Sequence, residues 1–177
     1  MNLWVLPTAR AQRSDQEWFA VIGAIIVKWG AVEKLVATSI HQLETEAAIA
    51  KEATPVHTDL SEFDFKKRKG HLRKLFEQHA EKTELAALDK IYRTMTEPKR
   101  VRNALGHDVV AIQYMTGYLG TIKHGNLARG TETQTTWKKF DELTAIARAI
   151  DSSHDTLGRL TIAITLRIRG TEGTRAT

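Results

Sequence analysis

The chain has 177 residues, 42% of them hydrophobic, and 26 Lys and Arg against 21 Asp and Glu give a formal charge of +5. That is the size of one domain with a real core, and the basic balance favours an anionic partner, nucleic acid first. The chain has no cysteine, which excludes a disulfide framework, thiol catalysis and thiolate zinc sites.

Residues 1–13, MNLWVLPTARAQR, read as an N-terminal arm without the charged start and cleavage site of a secretory signal. The most apolar run, WFAVIGAIIV at 18–27, falls short of the roughly 20 residues that a membrane span requires. Together these features predict a soluble, cytoplasmic protein with no membrane partner. A first helix is expected from Ser14, which stands three residues before Glu17 in capping-box spacing. Trp18, Ile22, Ile25, Trp29, Val32, Val36, Ile40 and Leu43 then recur at helical period. Val21, Ile26 and Leu35 widen this stripe, so the helix should pack against more than one neighbour. A connection at 52–61 leads to a second helix from about Ser61 to His79, and a third begins near Thr83.

Pro98 removes a backbone donor, so a kink or a restarted turn is expected at MTEPK, with Gly106 as a natural helix stop. The segments 109–114 and 118–123, rich in β-branched and aromatic residues, predict a hairpin, and 131–137 is a candidate third strand. Helical period returns from about Lys138, with an expected break near DSSHD at 151–155. The tail RGTEGTRAT, 169–177, has the composition of a disordered segment. The expected domain spans 14–168. Its fold class is all-α, a bundle of four to five helices with a β insert at about 109–137 between the third and the last long helix.

The segment RNALGH, 102–107, resembles the signature of the HEPN superfamily, an arginine followed by a polar residue and, a few positions on, a histidine. The order of elements around it is similar to that of several HEPN families over roughly 14–165. The resemblance implies a helical homodimer acting on RNA as a metal-independent endoribonuclease, in the role of a toxin with a protein antitoxin or of a phage-defence effector. A non-catalytic HEPN-like module that binds nucleotide, RNA or protein is the alternative, and a plain helical dimerisation protein the third reading.

The chemistry of the residues fits cleavage by 2′-hydroxyl attack. His107 can carry a proton near neutral pH, and Arg102 offers a fork of donors to a phosphate. On an unbroken helix the two differ by about 140° in direction, so Gly106 would have to swing His107 round. Asn103 lies four residues before His107, close enough for side-chain contact. Arg102 and His107 also suit an ordinary helix C-terminus, where positive charge is favourable. Glu33 falls within the apolar arc of the first helix, and the resemblance suggests that it holds Arg102; an edge position in water is the other reading. FKKRKGHLRK at 65–74 and PKRVR at 98–102 supply Lys66, Lys67, Arg68, Lys99 and Arg100 as an RNA-backbone track, with Arg68 pointing into a helix seam. His154 reads as a core histidine. His41, His57, His71, His79 and His124 show no metal-ligand spacing along the chain, so neither a metal site nor a cofactor is expected.

Overall fold

The computed structural model describes residues 14–113, 117–123 and 134–173. The N-terminal arm, His124 and residues 174–177 lie outside the described residues. The described part is mostly helical: α1 (Asp15–Ile49), α2 (Phe65–His79), α3 (Lys82–Thr94), α4 (Thr96–His107), then strands β1 (Val109–Gln113), β2 (Tyr118–Lys123) and β3 (Gln134–Lys139), and finally α5 (Phe140–Gly173). The strands form one antiparallel sheet in the order β1-β2-β3. No helix among these residues is long and apolar enough to cross a membrane.

Local chemistry explains the helix starts. Ser14 and Glu17 exchange hydrogen bonds as a capping box, with Ser14 N–H to Glu17 Oε2 at 2.8 Å. The second helix starts later than Ser61. Asp64 accepts the Lys67 N–H at 2.7 Å and sets the cap there, while Asp59 holds Ser61 in a turn. The third helix opens on Glu81, whose N–H is taken by Glu84 at 2.8 Å. The expected restart follows Met95. Pro98 is the third residue of α4, within the first turn, where a missing N–H leaves no intrahelical bond unmade.

The spine is the pair α1 and α5, which run parallel. Lys28 bonds Asp151, Ser39 bonds Thr161 at 2.9 Å, and Glu46 bonds Arg169 with Oε2 to Nε at 2.7 Å. Both partner numbers rise together, so the chain must return between the two helices, and α2, α3, α4 and the sheet make that return. Trp18 and Trp29 are each 1% exposed, one edge-on to Phe140 and the other to Phe65, both with ring centres 5.1 Å apart. The breadth of the α1 stripe is thus largely covered by the chain's own neighbours. The large apolar side chains that remain open on α1 are Phe19, Ile26, Val27 and, at its end, Ile49.

Several expectations about the last helix need correction. Residues 151–155 do not break α5. Ser153 is buried beside Ile150 and Leu157, and the Thr156 hydroxyl bonds back to the Ser152 carbonyl, so small polar residues are absorbed by the helix itself. Residues 169–173, assigned to a tail by composition, continue that helix, with Arg169 anchored on Glu46. His154 is not a core residue; its side chain is about 41% exposed beside Asp155. The hairpin is as expected. The third strand is shifted to Gln134–Lys139, so Lys138 lies within a strand instead of starting a helix.

Candidate functional site

Gly106 does not stop α4. The helix runs through it to His107, and Asp108 is the C-cap, its N–H bonding to the Ala104 carbonyl at 2.9 Å. Gly106 has no left-handed backbone angle. The expected swing of His107 therefore does not occur, and Arg102 and His107 keep the roughly 140° separation of a regular helix. Arg102 points toward α1. Its Nη2 lies 3.9 Å from Glu33 Oε2, with each side chain about one-third exposed, and its Nη1 donates to Asn103 Oδ1 at 3.2 Å. The expected Glu33–Arg102 pair is present, but as a loose, partly solvated contact and not as a buried one.

His107 is exposed in the last turn of α4. It shares a cleft of about 420 Å³ with Asn103, Arg100 and Asp108 from the α4 side, and with Thr121, Thr136 and Lys138 from the sheet. The pleat explains why those sheet residues face inward. Leu119 pairs with Lys138, and Thr121 with Thr136, so these four share one face. Gly120 and its partner Trp137 take the other, where a Cβ on Gly120 would meet the Trp137 ring at 2.6 Å. Leu119 and Leu143 form the apolar floor.

Two cations stand at the cleft wall, joined by one acid. Glu97 receives Arg100 through Nε at 2.8 Å and Nη2 at 2.9 Å, and Lys138 Nζ at 2.8 Å. The hydrogen bonds from Arg100 and then Lys138 hold the Glu97 carboxyl down to about 2. It stays charged across the physiological range.

Compared with known protein families, curated proteins and solved structures, the chain matches none. Asn103 and His107, four apart on α4, present one amide and one imidazole to the same cleft, beside Arg100 and Lys138. Arg102 lies outside that cleft and touches it only through Asn103.

Part of the expected basic track is gathered at the start of α2, where Lys67 and Lys99 both act on the Asp64 carboxylate. Lys66 and Lys67 are exposed. Lys99 is partly buried, with its ammonium 5.9 Å from the Phe65 ring. Arg68 turns into the seam as its position in the apolar stripe suggested. There Nη2 donates to the Leu60 carbonyl at 3.0 Å, while its buried Nε has no hydrogen-bond partner among the described residues. Arg68 thereby ties α2 to the α1–α2 connection.

Sequence reasoning missed two groups. Lys138 and Glu97 were missed at the cleft because Lys138 was assigned to a helix, where its pairing across the sheet is invisible. The second group lies where α1, the connection and α2 meet. His41, Glu44 and His57 offer ligand atoms that all lie within 4.8 Å of one another, contrary to the expectation that these histidines have no ligand arrangement. The signal was His41 three residues before Glu44, a spacing that puts both on one face of a helix.

Proposed function

We propose that the chain is a HEPN-like, metal-independent endoribonuclease that works as a homodimer, with His107 as the proton carrier. The observation that carries this reading is the placement of His107 and Asn103 together in a cleft walled by Arg100 and Lys138. RNA cleavage by 2′-hydroxyl attack needs a base for that hydroxyl, a cation for the charge growing on the phosphoryl oxygens, and an acid for the 5′-oxygen. His107 serves for proton transfer. Arg100 and Lys138 are the cations within reach of the same cleft, and an incoming phosphate would compete with Glu97 for them. Arg102 becomes a positioning residue in this scheme. Beside Glu33, it donates to the side-chain oxygen Oδ1 of Asn103 and so leaves the Asn103 amide hydrogens for substrate.

The homodimer draws support from α1. Phe19, Ile26 and Val27 are exposed, Phe19 by 64% and Val27 by 72%, and no heavy atom stands within 4 Å of where a side chain would begin at Gly23 or Gly30. At about 100° per residue, positions 19, 23, 26 and 30 share one face, and Glu33 falls at its end. Two chains paired through this stripe about a two-fold axis would set two Glu33–Arg102 pairs side by side. A toxin or phage-defence role, with an antitoxin as protein partner, is the biological setting that the resemblance suggests.

One observation favours the non-catalytic binding module. Arg102 faces Glu33 and not the cleft, and both cleft cations are already engaged by Glu97. The deciding experiment is incubation of the purified chain with RNA in chelator, wild type beside His107→Ala. The proposal expects 2′,3′-cyclic phosphate ends from wild type and no cleavage from the variant. Tight RNA binding without cleavage by wild type would establish the binding module instead.

A further inference from the structure

Glu44 is the least expected carboxylate among the described residues. Its side chain is only 10% exposed. The other deeply set acids have a guanidinium: Glu46 has Arg169, and Glu84 has Arg167 with bonds of 2.7 and 2.8 Å. Around Glu44 there are instead three imidazoles. His71 Nε2 lies 2.9 Å from Oε1, His41 Nδ1 3.8 Å from Oε2, and His57 Nδ1 4.0 Å from Oε2. Thr58 donates its backbone N–H to Oε2 at 3.0 Å and its hydroxyl to Oε1. The Glu44 carboxylate is thus oriented on both oxygens, with Oε2 facing two half-exposed imidazoles.

We propose that His41, Glu44 and His57 bind a divalent transition-metal ion of the zinc class, with Thr58 and His71 as positioning residues that aim the carboxylate. Two imidazole nitrogens and one carboxylate oxygen are the donor set that zinc, cobalt and nickel take, and one that magnesium and calcium avoid. An ion held at about 2.0–2.2 Å in tetrahedral geometry needs its ligand atoms roughly 3.3 Å apart. The present separations, 3.8 and 4.0 Å to Glu44 and at most 4.8 Å, close to that by rotation of the two imidazoles. Their rings already stand edge to face at 5.1 Å between centres, and their exposure gives an ion a path in. Glu44 does not need to move. Its outer partners repeat the usual arrangement in which a ligating carboxylate is itself hydrogen-bonded. Three protein ligands leave a coordination position for water. His57 and Thr58 lie in the connection between α1 and α2, so the ion would tie that connection to α1. None of these residues lines the His107 cleft, so the inference stands whether or not the chain cleaves RNA.

The test uses the full untagged chain, stripped with chelator and then titrated with Zn²⁺ by calorimetry and with Co²⁺ by visible absorption. Expected are one ion per chain, a visible cobalt band, and a melting temperature that rises with Zn²⁺ because the folded state alone presents the three ligands together. His41→Ala and His57→Ala should each weaken Zn²⁺ binding at least tenfold and remove the cobalt band. His154→Ala, half-exposed on α5, should change neither. His57 is an exposed residue of the connection, so its variant keeps the fold, which circular dichroism verifies. No ion bound by wild type would overturn the proposal. So would binding that survives in the His41→Ala/His57→Ala double variant, or an equal loss in His154→Ala.

Discussion

The two clusters of chemistry in this molecule are built in opposite ways. The Arg102–His107 segment is contiguous, and one helix carries all of it. The Glu44 cluster takes His41 and Glu44 from α1, His57 and Thr58 from the connection, and His71 from α2. Contiguity made the first cluster conspicuous, yet the regular helix sends its arginine and its histidine to different faces. The second cluster has no local signature beyond one His-x-x-Glu spacing, yet its side chains converge on a single carboxylate. Adjacency in sequence and convergence in space are separate properties, and chemistry needs the second.

The largest expected effect breaks the comparison at His107. His107→Ala should lower RNA cleavage by ~10²–10⁴-fold, the usual worth of a positioned proton carrier, while RNA binding falls little; a gel assay of cleavage beside filter binding reads both. Equal cleavage by the variant would reduce the α4 segment to a helix end. Next comes assembly. Phe19→Glu puts a charge into the open α1 stripe and should convert the dimer to a monomer in light scattering without changing the circular dichroism spectrum. A wild-type chain that is already monomeric at micromolar concentration removes the dimer from the proposal.

Smaller effects sharpen the contrast in how tightly each cluster is held. Thr58→Val deletes a hydroxyl from a nearly buried carboxylate and should cost about 1 kcal/mol of stability in urea unfolding. Glu33→Ala breaks a 3.9 Å contact between groups about one-third exposed and should cost less than ~1 kcal/mol. The reverse ranking would mean that the α4 segment, and not the Glu44 cluster, is the more firmly held site. The smallest effect is the pH dependence of the cleft wall. Glu97 is held down to about 2, against an ordinary 4.5. A carboxyl depressed on folding adds stability above its unfolded value and loses it as pH falls toward the folded one. The stability difference between wild type and Glu97→Gln should therefore be full above about pH 4.5 and close progressively toward pH 2. A difference that stays constant over that window would place Glu97 free of Arg100 and Lys138.

Much of the architecture was determined by the sequence alone. The capping box at Ser14 and Glu17, the restart after Met95 and the hairpin are local events, set by hydrogen bonds and backbone preferences within a few residues. So was the long apolar face of α1, because a 3.6-residue period is a property of the chain itself. Only the tertiary structure decided what covers that face: Phe140 and Phe65 bury Trp18 and Trp29, and Phe19 and Val27 are left open. It also decided that 151–155 stays helical, since packing of Ile150 and Leu157 into the core outweighs the weak helix preference of Asp and Ser. The candidate site divides in the same way. His107 and Asn103 were legible because i,i+4 spacing survives in any helix. Lys138 and Glu97 were not, because their meeting depends on how a strand is laid against a helix, and neither was the convergence of His41, Glu44 and His57. Interactions between distant segments depend on where the chain returns, and that is set by the burial of the whole core rather than by any short stretch of residues.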